Sequence, residues 1–401
     1  MNNPISTILV GIGGYGATYG EILLDNTVPG LHLAAIVDPY AKSSRIYDRF
    51  KDTVPVYDRL EDFYATGQTA DLVFISSPPN LHFRHCITAL EGGSHVLCEK
   101  PLVPTLDMLN RLDEKAVASG KTLSVGFQWC FSDVMLGLKA RILAGEFGRP
   151  VFFKNFTCWP RTWAYYRRSA WAGRIKTDDG TYVYDSVVSN ATSHHLQNML
   201  FLLGSTMEDS ASLGNTYVET YRANDIESFD TCVLRGDVGS AKVYYAASHG
   251  TNYNISHPMM HYELENAVIT VGVFDQGQGQ GQGQEGVCTV HHRDGRVEKL
   301  GPALGNGVIN KFTRTAEEIR GKRGATCSIR TVRPFTALID AIFSQVPIYD
   351  FPAGLVIKDS VEECTYVKYL HMQLADCFNH GRLPSEMKLP WANTNSKLKP
   401  V

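Results

Sequence analysis

The sequence predicts an α/β protein in two parts: an N-terminal doubly wound parallel sheet, then a C-terminal α+β domain built on a large, mainly antiparallel open sheet. Three observations predict it. From Ile8 to about Gln128 short apolar runs alternate with helical patterns, as strands and crossover helices do in a parallel sheet. The first run breaks into a glycine-rich turn, Gly11-Ile12-Gly13-Gly14-Tyr15-Gly16. From about Asp209 to Lys299 the pattern changes to long β runs separated by turns. At 401 residues the chain exceeds one typical domain, and the expected division is 1–128 and 129–401.

Composition narrows the partners. The formal net charge is -3 and no basic run occurs, so neither nucleic acid nor a membrane surface is an expected partner. The 9 cysteines are scattered, with no Cys-x-x-Cys pair, which suits reduced thiols in a cytoplasmic protein. The N-terminus lacks a basic leader, and no segment reaches the ~18 apolar residues of a membrane span. His257 and His261 surround Pro258 and His291-His292 lies in an expected strand, so no metal site is expected.

In the N-terminal part, strands are expected at Ile8–Val10, Leu33–Val37, Leu72–Ser76, His95–Cys98 and Leu123–Gly126. The first leads through the glycine turn into helix-compatible Tyr19, Ile22 and Leu23. In such a strand–turn–helix, Gly11 permits the turn, Gly13 lets the backbone approach a pyrophosphate, and Gly16 lets helix pack on strand. The phosphates then rest on free N–H groups at the helix N-terminus. The second run ends on Asp38, close to the roughly 20-residue interval expected of the acid that binds the adenosine ribose. A carboxylate there accepts hydrogen bonds from two ribose hydroxyls and repels a 2′-phosphate, which favours NAD over NADP.

Ligands of this fold gather at the carboxyl ends of the strands. Two stretches stand there: Ser76-Ser77-Pro78-Pro79-Asn80-Leu81-His82 and Cys98-Glu99-Lys100-Pro101. Pro101 keeps Lys100 out of the helical region, so its side chain projects from the strand end. A lysine over the mouth of the sheet can exchange a proton with a substrate hydroxyl.

Beyond Gln128 the sequence predicts a helix at Asp133–Gly145 and a strand at Val151–Cys158. Trp159 to Arg174 is rich in flat and multidonor side chains, among them Trp163, Tyr166, Arg167 and Trp171, and reads as a carbohydrate-facing loop. Leu196, Met199, Leu200 and Leu203 form one apolar helical stripe that Gly204 can end, which leaves Asn190, His194 and Gln197 on the opposite face, free to line a cleft. His195, to the side, rivals His194 for substrate contact but better suits a structural role. Further β runs are expected at Phe229–Leu234, Lys242–Ala247 and His261–Val271, with a hairpin at Asp294-Gly295. Gln276–Gln284 alternates Gln and Gly and carries no chemistry. Helices around Phe335–Phe343 and Thr365–Phe378 and a poorly ordered tail are expected to close the chain.

In their order these stretches resemble the Gfo/Idh/MocA family of nicotinamide-dependent oxidoreductases, named for glucose-fructose oxidoreductase and inositol dehydrogenase. The resemblance implies cofactor contacts from Gly11, Ile12, Gly13, Gly14, Tyr15, Gly16, Asp38, Ser76, Ser77, Pro78, Asn80, His82, Glu99, Lys100 and Gln128. It also implies that Lys100 bridges cofactor and substrate and that a later helix carries an Asp-x-x-x-His pair. Here Asn190 replaces the acid before His194. Asparagine orients the imidazole without stabilising its cation, so Lys100 carries more of the proton transfer, Asn190 binds substrate, or another acid such as Asp185 substitutes. The implied activity is hydride transfer to or from a secondary hydroxyl of a sugar, glycoside or cyclitol, with NAD as cofactor. Lys100, His194 and Asn190 would be catalytic, and Lys100, Trp163, Tyr166, Arg167, Trp171, Asn190, His194 and His195 would hold the substrate in a homo-oligomer, dimer or tetramer. Two other readings stay open: glycoside cleavage by oxidation, elimination and reduction, which regenerates NAD, and a dinucleotide-sensing regulator.

Overall fold

In a computed structural model describing residues 3–254, 259–272 and 286–399, the five expected N-terminal apolar runs and one short strand that was not expected, Val56–Tyr57, form a parallel six-stranded sheet. They are β1 (Ile5–Val10), β2 (Leu31–Val37), β3 (Val56–Tyr57), β4 (Leu72–Ile75), β5 (His95–Cys98) and β6 (Leu123–Val125), in spatial order β3-β2-β1-β4-β5-β6. All four residues of β4 are buried, as expected when helices cover both faces of a sheet. Strand order reverses between β1 and β4, so the glycine turn and the Ser76-Ser77 loop flank the switch point. His257 and the Gln276–Gln284 repeat lie outside the described residues.

The chain forms two compact units, Met1–Phe131 with Asn306–Arg333 and Ser132–Gly305 with Pro334–Val401. The return segment of the first has no counterpart in a division at residue 128. Its helix Gly307–Ile319 lays Phe312 4.9 Å from the Phe74 ring and 5.5 Å from the Tyr19 ring, completing the layer over the sheet.

In the second unit the antiparallel runs join a ten-stranded sheet. Its strands are β7 (Pro150–Cys158), β8 (Gly214–Arg222), β9 (Thr231–Val238), β10 (Ala241–Ser248), β11 (Met259–Leu264), β12 (Ala267–Val271), β13 (Val287–His292), β14 (Val297–Pro302) and β15 (Ile348–Asp350), with Ser396–Lys397 added to β8. Only the β7–β10 and β8–β15 pairs are parallel, so the sheet is mainly antiparallel. The hairpin at Asp294-Gly295 joins β13 and β14.

Three expectations are corrected here. The run His261–Val271 is a hairpin that turns at Glu265-Asn266 rather than one strand. Thr365 belongs to a strand, Cys364–Val367, and the helix begins only at Leu370, after Tyr369 in the left-handed region. The tail is packed: Trp391 is 2% exposed and donates to Gln373 Oε1, and Leu398 N–H bonds the Thr216 carbonyl.

Candidate functional site

In the N-terminal unit the site grows from the glycine turn. Gly11 has φ +83°, and a Cβ there would stand 2.7 Å from the Ser77 nitrogen, so only glycine lets the two loops meet. A Cβ on Gly16 would collide with the Gly11 carbonyl, whereas one on Gly13 or Gly14 would meet no protein atom within 4 Å. The turn is therefore closed on its protein side and open on the other. The helix Tyr15–Leu24 starts at Gly14 with no side-chain cap and no acid in its first turn, leaving its N–H groups to an anion. This cradle fits a dinucleotide pyrophosphate.

Asp38 stands at the end of β2, where it accepts from Ile12 N–H and Tyr40 N–H, both at 2.8 Å. It thus braces the glycine turn from the carboxyl end of β2. Tyr15 is half exposed, and its hydroxyl donates to Gln128 Oε1 at 3.2 Å, which brings those two expected residues together.

Several other expected contacts turn inward. The Ser76 hydroxyl donates to the Gly11 carbonyl at 2.6 Å, and Ser77 bonds His85. His82 is buried, with its ring nitrogens 2.8 Å from the Pro101 carbonyl and 2.9 Å from the Ser77 carbonyl. Burial lowers its pKa, with the two carbonyls opposing. His82 thus ties the two strand-end loops to each other. Asn80 has a buried side-chain oxygen without a hydrogen-bond partner, and Pro78 is exposed beside it.

Glu99 also points inward. Its Oε1 accepts from the Tyr19 hydroxyl at 2.7 Å and from the buried Lys311 ammonium, while Oε2 accepts from the Lys100 N–H. Gly126 leaves the space that its carboxylate fills. Burial alone would raise the Glu99 pKa, but Lys311 reverses this and holds it below the usual carboxylate range. Sequence reading missed Lys311 and Tyr19. The available sign was a lysine on the same helical stripe as Phe312, Thr315 and Ala316. Lys100 itself, half-buried, follows β5 at the same sheet edge as the glycine turn.

In the C-terminal unit the stretch around His194 differs from one regular helix. Val187–Ala191 forms a wide π-helical turn held by a Ser186/Ser189 capping box, and the α-helix starts at Ser193. Such turns interrupt helical phase and recur at functional sites. Gln197, expected in a cleft, is instead fully buried and donates to Ser210 Oγ at 3.0 Å, because this helix is covered on nearly all sides. Asn190 and His194 stay half-buried. The Asn190 amide donates to Asp185 Oδ1 at 2.7 Å, so an acid stands next to position 190 after all. His195 is buried against Thr157 Oγ1 at 3.2 Å and edge-on to Trp159, in keeping with a structural role.

The aromatic segment adjoins these residues: Trp159 contacts His195, and Asp185, bonded to Asn190, also accepts from Gly173 N–H at 2.6 Å. Trp163 donates to Thr365 Oγ1 at 2.9 Å and is anchored by it. Tyr166 keeps a buried hydroxyl without a hydrogen-bond partner, Trp171 is half-buried under Arg168, and Arg167 is exposed. His249, pinned to the Trp159 carbonyl, is pushed down to about 3 by burial and by Arg161, so it stays neutral. All nine cysteines are buried and free, and among the described residues no three His, Cys, Asp or Glu gather as metal ligands would. Among the same residues no helix is long and apolar enough to cross a membrane.

Residues 5–127 match the family described as an oxidoreductase family with an NAD-binding Rossmann fold. A scyllo-inositol 2-dehydrogenase (NAD(+)) of Bacillus subtilis is 30% identical over 161 residues, 39% of this chain and 45% of that protein. An inositol 2-dehydrogenase of Corynebacterium glutamicum is 27% identical over 188 residues, 47% of this chain and 54% of that one. The matches thus span about half the length of these curated relatives. Among solved structures, the WlbA dehydrogenase of Bordetella pertussis, in complex with NADH and UDP-GlcNAcA, superposes with a TM-score of 0.68 at 20% identity, covering 85% of this chain and 96% of that one. At that identity the likeness shows the fold.

Proposed function

The chain belongs, through residues 5–127, to the Gfo/Idh/MocA family of oxidoreductases with an NAD-binding Rossmann fold, and from that premise we propose that it transfers hydride to or from a secondary hydroxyl of a sugar or cyclitol. The observation that carries this reading is the pairing, within one unit, of an open glycine cradle after β1 with Lys100 after β5. The inositol dehydrogenases among its relatives support the substrate class.

Gly13, Gly14 and the N–H groups of the helix Tyr15–Leu24 hold the pyrophosphate, and Asp38 takes the ribose hydroxyls, which selects NAD over NADP. When bound, the nicotinamide supplies the hydride acceptor. Lys100 takes or returns the hydroxyl proton, and its backbone is held by Glu99. In the C-terminal unit His194 and Asn190 bind substrate hydroxyls, with Asp185 fixing the Asn190 amide. Tyr166, Arg167, Trp163 and Trp171 line the sugar side. We place the protein in the cytoplasm, in keeping with its nine buried thiols. It works as a homo-oligomer through the half-exposed sheet face on which Met259, His261, Glu263, Val268 and Thr270 alternate with buried residues.

The test is reduced-nicotinamide absorbance with NAD or NADP and a panel of inositols, hexoses, glycosides, hexuronates and hexose phosphates. NADH formation from one class supports the reading; NAD binding without turnover of any of them, or cleavage of a glycoside without NADH, overturns it. The cradle has its own test. Gly13→Ala adds a methyl that touches no protein atom, so the melting temperature stays within about 2 °C while NAD affinity, read by calorimetry, falls by about tenfold or more. Unchanged affinity would remove the pyrophosphate from the turn.

A further inference from the structure

Within the C-terminal unit, Tyr165 is gripped by two cations. The Arg168 guanidinium lies 3.6 Å from its ring centroid and that of Arg161 lies 4.5 Å away; Arg161 also reaches over Trp159 and Arg168 over Trp171. Stacking on aromatic faces fixes the two guanidinium groups without neutralising them. Among the described residues neither makes an ion pair with a carboxylate. The acids nearby are committed elsewhere. Asp185 accepts from Gly173 N–H and the Asn190 amide. Asp230 accepts from the N–H groups of Ala223 and Asn224, the Asn224 amide and the Thr231 hydroxyl.

The same segment also holds buried polar atoms without hydrogen-bond partners: Arg161 Nε, the Tyr166 hydroxyl and Ser169 Oγ. A buried donor left unsatisfied destabilises the fold, the more so when it is charged. Two like charges on one ring and three unsatisfied polar atoms within nine residues describe a receptor for an anion, not a packed wall. His249 beside Arg161 is kept neutral by burial first and by the Arg161 charge second, so it adds no cation of its own.

We propose that the substrate carries a negatively charged group, a carboxylate or a phosphoryl group on the sugar, and that Arg161 and Arg168 bind it with help from the Tyr166 hydroxyl. This rests on the sugar-oxidoreductase reading and names the class of sugar within it. Arg161 and Arg168 are then the specificity residues. The neutral ring hydroxyls remain with Asn190 and His194.

The test is calorimetric titration of the full-length protein, with and without NAD, using D-glucuronate, D-glucose 6-phosphate and D-glucose. The expected result is that one of the two anions binds about tenfold or more tighter than glucose, as charge-assisted hydrogen bonds predict. Preference for glucuronate identifies a carboxylate, and preference for the phosphate ester a phosphoryl group. Arg161→Gln and Arg168→Gln should each abolish the preference while leaving NAD affinity and melting temperature unchanged. Arg161→Lys, which keeps the positive charge without the planar fork, should retain part of the preference. Glucose binding as tightly as both anions, no binding of either anion, or a preference that survives both substitutions overturns the proposal. The function reading fails separately, on absence of NAD binding in the same titrations.

Discussion

Replacing Lys311 with methionine should destabilise the N-terminal unit by about 3–5 kcal/mol, the usual result of removing one partner from a buried ion pair. Lys311 is fully buried, and its ammonium meets Glu99 Oε1 and the Tyr19 hydroxyl, under the Tyr19 and Phe74 rings. Methionine fills similar space but leaves the Glu99 carboxylate in a site from which water is excluded. Glu99→Gln with Lys311→Met should recover much of the loss, since a neutral amide costs less to bury than a lone carboxylate. If the double variant loses the sum of the two single effects, the pair is not coupled and the argument fails.

The pH dependence carries the sign. The folded-state pKa of Glu99 is depressed, so its contribution to stability is present above the unfolded value of about 4.3 and is lost as pH falls through the folded value. In Lys311→Met the burial that raises the pKa is no longer opposed by the lysine, and acidification then relieves the variant by protonating Glu99. The stability gap between the two proteins should therefore narrow from pH 7 to about pH 4, as read by chemical denaturation. A gap that stays constant over that range would assign the loss to packing alone.

The N-terminal sheet was legible because its cues are local. Apolar runs, the spacing of Gly11, Gly13 and Gly16, and Asp38 at a strand end each speak for themselves within a few residues. The Glu99–Lys311 pair spans 212 positions, and only the fold brings a lysine from the return helix beneath the Glu-Lys-Pro turn. Motif position also says little about side-chain direction. Ser76, Ser77, His82 and Glu99 occupy the expected loops, yet their polar atoms bind neighbouring backbone or buried partners. At Asn190 a count of 100° per residue fails because the π-helical turn changes the phase before the α-helix begins. Arg161 and Arg168 were visible as composition, but their shared grip on Tyr165 is a matter of three dimensions.

Lys100→Met should lower turnover by a factor of about a hundred or more while NAD affinity stays within about threefold. The two effects separate because Gly13, Gly14 and Asp38 form the cradle, with Asp38 accepting from Ile12 N–H, and because the bond from Lys100 to Glu99 Oε2 is made by its backbone N–H. Turnover is to be measured by NADH absorbance with the substrate that the panel identifies, and affinity by calorimetry. Lys100→Arg distinguishes two roles. Arginine keeps the positive charge but cannot release a proton near neutral pH, so it rescues an electrostatic role and fails to rescue proton transfer. Unchanged turnover in Lys100→Met would sink the assignment. Loss in Met with recovery in Arg would make Lys100 a charge that orients substrate, and would move the proton to His194, on the helix that follows Asn190, whose amide donates to Asp185.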